Sequence, residues 1–558
     1  MRTIARQALL FFAVIASAVL ASAALADGDP ELRLAEAIRA FQADSSTVTS
    51  FHSLEGPERF AAEEAADAIW RSWLAGLPFE SLATAGRIDY LLLEALLDRR
   101  AADLARRRAE YAKALPLAGW HDLVLEIEAA HRDGGPFEYR RLAERLGPVP
   151  AAVAELRAHR EAFAGSGPLV RRVSALARAD ADFLTGWYGQ HADHDPLFGW
   201  WLEQPLAAAR DAIRGHADFL DGEVLPEIKK TENAFAVGAE ALDLDLRLEF
   251  LPYTAETLLA DGERWFAETR EDLVRTAELV HPGGTWQEAL ADIKADQVEI
   301  GSERAYVHAL ATESIEFVRA KRLVPLPPLV EKWSLVSIDR DAQRTYPFAY
   351  YSGNRMGWSY AVRSQSQEVK EAALRGNNRY VTRTVVPHEL IPGHHLQTFY
   401  ADRHRTHRAA FRSSVLVEGW GFYTELLFDQ MGWFRTPKER LGHLHWKLIR
   451  AARIVVTLRY HLSRMKQSEM VDFLVNEVGL ERDGAQGEVD RYMTYSPLYQ
   501  ASYMVGARQI VALREEAKTV AGQGFDLEEF HRRLLEQNSI PIAMSRYAVL
   551  DFEVPRHP

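Results

Sequence analysis

Apolar residues recur at three- and four-residue spacing through most of the stretch from Pro30 to Ala320, as in Leu91, Leu92, Leu96, Leu97 and Leu104, or Leu258, Leu259, Trp265 and Phe266. That period puts one apolar stripe on each helix and commits the chain to helices packed on helices. Turn signals divide the pattern at Gly134-Gly135-Pro136, Gly147-Pro148-Val149-Pro150, Gly165-Ser166-Gly167-Pro168 and Pro282-Gly283-Gly284. Between Arg322 and Arg363 aromatic and β-branched residues replace the helix formers, and a few short strands are expected near residues 333–363. Helices return from Asn378 to about Arg514, and a last one is expected from about Leu527 to Glu536, ahead of Ile540-Pro541. The expectation is a mainly α protein, a large multi-helix body enclosing a cleft. The composition change sets a boundary near residue 320, with an N-terminal helical part (27–320) and a C-terminal helical part (321–558) that carries the chemistry.

With 558 residues, 47% of them hydrophobic and 26% charged, the chain has the balance of a soluble globular protein. The formal charge of -13 argues against a nucleic-acid partner, which would ask for an excess of Lys and Arg on one face. Arg2 and Arg6, the apolar run Ala8 to Leu20, and Ala24-Leu25-Ala26 before Asp27 have the order of a secretory signal over residues 1–26. The apolar run is shorter than the ~20 residues that cross a bilayer, so no membrane span is expected after cleavage, and the periplasm or the cell exterior is the expected location. The absence of cysteine rules out disulfides, thiolate chemistry and a lipid-modified cysteine, so any metal here is held by nitrogen and oxygen.

The run His388-Glu389-Leu390-Ile391-Pro392-Gly393-His394-His395, with Glu418-Gly419-Trp420 downstream, reads as a metal site with its own base. Two imidazoles and a carboxylate with a fourth position open suit catalytic zinc, one ion, with manganese or cobalt as substitutes. In the common H-E-x-x-H helix the imidazoles lie four residues apart on one face. Here His388 and His394 are six apart, which an unbroken helix would place roughly 240° around its axis, while His395 shares the face of His388 but sits roughly 10 Å along it. Pro392 and Gly393 offer a bulge that draws the second imidazole back. His394 is the preferred second ligand, with His395 as the alternative. Glu418, an acidic residue among Val415, Leu416, Val417, Trp420 and Phe422, is too costly to bury alone and is the expected third ligand. Glu425 is the carboxylate expected to orient a ligating imidazole. Glu389 then serves as the base that takes a proton from the attacking water. Tyr503 and His461 are the candidate oxyanion donors, and Arg491 is either an internal ion pair with Asp490 or Glu488 or a clamp on a substrate carboxylate. The Trp420, Trp433 and Trp446 series is expected to be core.

These residues resemble the bacterial domain-of-unknown-function family 885, whose pattern looks like H-E-x-x-P-G-H-x-x-Q followed by E-G-W-x-x-Y-x-E. His388-Glu389, Pro392-Gly393-His394, Gln397, Glu418-Gly419-Trp420, Tyr423 and Glu425 match it, followed by Arg450-Ala451-Ala452-Arg453, Glu488-Val489-Asp490-Arg491-Tyr492, Gln500-Ala501-Ser502-Tyr503 and Gly506. The chain departs from it at Pro497-Leu498-Tyr499-Gln500 and at Leu458-Arg459-Tyr460-His461. The resemblance implies a mainly helical, zinc metallopeptidase-like protein with His388, His394 and Glu418 on the metal and Glu389 as base. The expected function is therefore an exported zinc-dependent hydrolase of peptide bonds in short peptides. The alternatives are a non-catalytic periplasmic zinc-binding or scaffold protein, and a metal-dependent hydrolase of esters or non-peptide amides.

Overall fold

The computed structural model describes residues 30–163, 165–344, 348–494 and 497–557; the expected signal segment 1–26 and the Tyr346-Pro347 part of the expected strand region lie outside them. The described chain is mainly helical and divides into two compact units, residues 1–235 and 236–558. The composition change near residue 320 falls inside the second unit, where helices give way to a small sheet.

In the first unit the periodic leucines behave as their spacing requires. Leu91, Leu92, Leu97 and Leu104 are all buried along the helix Thr84–Ala114. One buried polar cluster in this core is paired internally: Asp180 accepts hydrogen bonds from Trp120 Nε1 and His121 Nδ1, each at 2.9 Å. His121 Nε2 meets the Glu55 carbonyl oxygen at 2.9 Å.

The second unit is built around long helices: α1 (Ala255–Val280), α2 (Glu303–Lys321), α3 (Arg379–Glu389), α4 (His394–Ala401), α5 (Ser414–Met431), α6 (Pro437–His461), α7 (Arg482–Thr494) and α8 (Tyr499–Ala521). Local chemistry sets their starts. Asn378 accepts from the Tyr380 and Val381 amides to open α3, Ser413 accepts from Leu416 to open α5, and Thr436 with Glu439 forms a capping box on α6. The expected strands are present as β1 (Ser334–Ser337), β2 (Ala349–Ser352) and β3 (Arg355–Trp358), in the order β1-β3-β2, with β1 parallel and β2 antiparallel to β3. The helix expected up to Glu536 spans Leu527–Leu535, and one further helix, Ile542–Leu550, follows Ile540-Pro541. Proline at its N-terminal edge opens this helix instead of ending the helical part.

One close helix crossing in this unit positions the site. On α5 and α8, Gly419 and Gly506 face each other so tightly that a Cβ on Gly419 would lie 2.5 Å from the Gly506 Cα, and one on Gly506 would lie 1.9 Å from the Val415 carbonyl oxygen. Only glycines permit this approach, and it sets Gly506 of α8 against the first two turns of α5. Trp420 and Trp433 are buried in the core formed there, and Trp446 is buried on α6. Burying each such side chain contributes roughly 1.5–3 kcal/mol. Among the described residues no helix is long and apolar enough to cross a membrane.

Candidate metal centre

Helix α3 ends at Glu389 and α4 begins at His394, so the Pro-Gly segment produces a clean break where the spacing suggested a bulge within one helix. Gly393 combines a negative φ of -78° with an unusual ψ of -132°, and space demands glycine as well: a Cβ there would lie 1.8 Å from the His388 carbonyl oxygen. The Gly393 amide reaches back to the Pro387 carbonyl at 3.0 Å, folding the start of α4 onto the end of α3. Two neighbours pin the link. Trp420 Nε1 donates to the Pro392 carbonyl at 2.8 Å, and Ser314 Oγ donates to the carbonyl of Ile391.

The result is a convergence of His388, His394 and Glu418, whose ligand atoms all lie within 4.8 Å of one another. The two imidazoles meet edge to face, with ring centroids 4.7 Å apart. His394 Nε2 lies 3.3 Å from Glu418 Oε2. Two donors each ~2.0–2.2 Å from one tetrahedral ion are ~3.3 Å apart, so this pair has the separation that a shared zinc would impose. The donor set of two imidazoles and one carboxylate fits zinc with a position left open.

His395 is not part of this set. Its Nδ1 meets the Tyr351 hydroxyl at 3.0 Å and its Nε2 meets the Val330 carbonyl, so both ring nitrogens are occupied.

The E-G-W-x-x-Y-x-E segment can be read residue by residue. Glu418 faces His394, Gly419 makes the helix crossing, and Trp420 holds the Pro392 carbonyl. Tyr423 hydrogen-bonds His531 Nε2 at 2.7 Å and accepts from Arg514 Nη1 at 3.3 Å. Glu425 Oε1 lies 2.8 Å from His388 Nδ1, off the axis of a straight hydrogen bond. Gly421, between the motif's named positions, lets the imidazole lie against the helix: a Cβ there would be 2.7 Å from His388 Cε1 and 3.0 Å from both ring nitrogens.

Burial sets the protonation of these groups. It pushes the Glu389 carboxyl up to about 7, with the charges of His394 and Arg450 opposing the rise and that of Glu418 adding to it. Glu389 keeps 8% exposure. Burial also pushes Glu425 up to about 8, with Arg450 opposing. Glu418 goes the other way: burial would raise it, but His394, His388 and the Tyr499 hydroxyl together hold it well below the usual carboxylate range. His388 is held neutral by burial, reinforced by the charges of His394 and Arg450. Burial opposes charge on His394 too, yet Glu418 beside it raises its pKa.

Tyr503 stacks on His388, with centroids 6.3 Å apart and planes within 17°, while Tyr499, at one of the departures from the family pattern, donates its hydroxyl to Glu418 Oε1 at 2.6 Å. His461 is seated differently from its expected place beside the reacting carbonyl. Its Nε2 hydrogen-bonds the Tyr492 carbonyl oxygen at 3.0 Å. Arg491 is part-buried and ion-pairs with Glu488. Three residues of this region drew no individual role from the sequence: Tyr499, Arg450 and Arg453. The two arginines stand with their guanidinium carbons 4.4 and 4.8 Å from the Tyr503 ring centre. The only signal for them was their place in the family pattern.

Residues 52–549 match the family described as "Bacterial protein of unknown function". Two solved structures share the fold. One, from Shewanella oneidensis, is titled a "putative lipoprotein of unknown function"; it is 19% identical, with a TM-score of 0.72 over 94% of this chain and 100% of that one. The other, titled a "putative lipoprotein" from Colwellia psychrerythraea, is 17% identical, with a TM-score of 0.61 over the same shares of the two chains. Among curated proteins none matches the chain.

Proposed function

The chain belongs to this family of bacterial proteins of unknown function, and from the geometry of its site we propose that it is an exported, zinc-dependent hydrolase that opens peptide bonds in short peptides. The observation that carries the reading is the convergence of His388, His394 and Glu418 with Glu389 next in sequence to the first of them. A structural zinc normally takes four protein ligands, whereas three ligands beside a buried carboxyl poised near neutrality are what a hydrolytic site needs. The limited exposure of Glu389, His394 and Glu418, between 7% and 9%, favours slender substrates over folded proteins. Export is supported by the basic, apolar, small-residue order of the first 26 residues, and the two structural neighbours bear lipoprotein titles.

His388, His394 and Glu418 would hold the ion. When bound, it supplies Lewis acidity to the scissile carbonyl and lowers the pKa of water at its open position. Glu389, with a pKa near 7, accepts a proton from the attacking water and returns it to the leaving amine. Glu425 holds the His388 ring from behind, and Tyr499 fixes the orientation of Glu418. Tyr503, stacked on His388, is the hydroxyl-bearing side chain best placed to meet charge developing on the carbonyl oxygen.

A mixed peptide library incubated with the zinc-loaded protein and read by mass spectrometry tests this. Cleavage is expected, with Glu389→Gln slower by roughly 100- to 10,000-fold. A variant as fast as the wild type would remove Glu389 from the mechanism, and an intact library would remove the peptidase reading.

A further inference from the structure

Behind Tyr503 lies a group of cations that water activation does not use. The Tyr503 ring stacks on His388 and also carries the Arg450 and Arg453 guanidiniums, at 4.4 and 4.8 Å. Arg450 and Arg453 are only 3% and 4% exposed. A third guanidinium, Arg491, shares their one fully engaged counter-ion. Glu488 accepts from Arg453 Nε and Nη2 at 2.9 and 3.0 Å and from the Tyr492 hydroxyl at 2.8 Å, and it ion-pairs with Arg491. Arg450 has Glu425 at 3.7 Å, too far for a hydrogen bond, and that carboxyl lies closer to His388, at 2.8 Å.

Both Glu425 oxygens are likewise without a hydrogen-bond partner, but the 3.7 Å gap keeps them from satisfying Arg450. Among the described residues, Arg450 Nε and Arg453 Nη1 are buried N–H groups with no hydrogen-bond partner, and so is Trp446 Nε1, whose ring lies 4.4 Å from the Arg450 guanidinium. An arginine stays charged at any pH the protein meets, and a buried donor left unpaired costs roughly 1–3 kcal/mol, more for a charged group. A planar carboxylate is the acceptor that matches guanidinium donors. The distance also limits the choice. Both arginines lie against the tyrosine ring that stacks on His388, and consecutive Cα atoms of a peptide are ~3.8 Å apart. An anion held there would belong to the first or second residue after the scissile bond.

We propose that Arg450 and Arg453 form the recognition site for a free C-terminal carboxylate, so that the protein trims peptides from their C-terminal end. This rests on the hydrolase reading above and adds the substrate class. Water adds to the carbonyl one or two residues before the C-terminus and the C–N bond breaks. The leaving nitrogen takes a proton to become a free amine, and the shortened peptide ends in a new carboxylate.

The first test needs no variant. One peptide without acidic side chains is offered to the zinc-loaded wild type as the free acid and as the C-terminal amide, alongside an amidated peptide carrying a glutamate near its end. The free acid is expected to be cleaved with kcat/KM roughly 10- to 100-fold higher than the amide, losing residues only from its end. Equal rates, or cuts at internal bonds, overturn the C-terminal assignment while leaving the hydrolase standing. Preference for the amidated glutamate peptide would move the carboxylate to a side chain and also overturn it. If none of the three is cleaved, the hydrolase reading fails, and calorimetry then judges the carboxylate site separately. Glu389→Gln protein is titrated with a reduced-amide dipeptide that cannot be hydrolysed, as acid and as amide. The acid should bind at least about tenfold more tightly, Arg450→Met should erase the preference and Arg450→Lys should restore part of it. Equal binding of acid and amide by the parent Glu389→Gln protein overturns the proposal whatever the arginine variants do.

Discussion

Substituting Gly421 by alanine separates the metal site from the stability of the fold, because the two respond with opposite signs. In the middle of α5 the new methyl group favours the helix by roughly 1 kcal/mol. Its Cβ would lie 2.7 Å from His388 Cε1 and 3.0 Å from both ring nitrogens, closer than van der Waals contact allows, so the imidazole must retreat by several tenths of an ångström. A side-chain ring can make that move at little cost to the metal-free protein. A metal site tolerates less, since metal–ligand distances hold to within ~0.2 Å. The ring would also leave its 2.8 Å approach to Glu425. Loss of this kind of support costs roughly 10- to 100-fold in metal affinity, or about 1.4–2.7 kcal/mol. Zinc affinity measured by competition against a chelator should fall by that factor, while the melting temperature of the metal-free protein stays level or rises. Unchanged zinc affinity would mean that the ring facing Gly421 is not a ligand, and a large fall in metal-free stability would mean that the ring has no room to move.

Two further outcomes follow from the packing and the buried charges. Gly506→Ala would drive a methyl group into the Val415 carbonyl oxygen at 1.9 Å and so force α5 and α8 apart; a loss of roughly 1–3 kcal/mol in chemical denaturation is expected, together with weaker zinc binding as Tyr499 leaves Glu418, and wild-type stability would refute the close crossing. His216 is fully buried among Trp120, Phe163 and Phe219, and burial lowers its pKa to about 4. The unfolded chain therefore takes the proton first as pH falls: the contribution of neutral His216 is complete above its unfolded pKa near 6.5 and is lost between there and about 4, up to ~3 kcal/mol in all. The stability of His216→Phe should decline less steeply than that of the wild type over this window, and parallel curves would contradict the reasoning.

The parts of the site that were legible in the sequence are those governed by residue type. A carboxylate in an apolar helix had to meet a cation or a metal, and Glu418 does face His394. The helical period placed the core, and aromatic and β-branched enrichment placed the strands. What escaped was governed by approach distances between elements distant in sequence. The glycines at 419, 421 and 506 matter because of what lies opposite them, and no local pattern announces that. Gly393 was read through backbone freedom, and to its unusual ψ of -132° the structure adds a need for room beside the His388 carbonyl. The choice between His394 and His395 was open on geometry alone, and it turned on Tyr351 and the Val330 carbonyl, which arrive from far along the chain to occupy His395. Composition changes near residue 320 because strands replace helices there, while the division into compact units lies at 235/236. The unpaired donors of Arg450 and Arg453 could not be read from their sequence, because their partners and near-partners come from α5, α7 and α8.

The central claim is that one divalent ion is shared by His388, His394 and Glu418, and anomalous diffraction at the zinc edge from crystals of the zinc-loaded protein tests it most directly. The account predicts a single strong peak ~2.0–2.2 Å from a nitrogen of each histidine and from an oxygen of Glu418, and no such peak for Glu418→Gln. A peak coordinated by other residues, or no peak from a protein shown by elemental analysis to carry zinc, would contradict it.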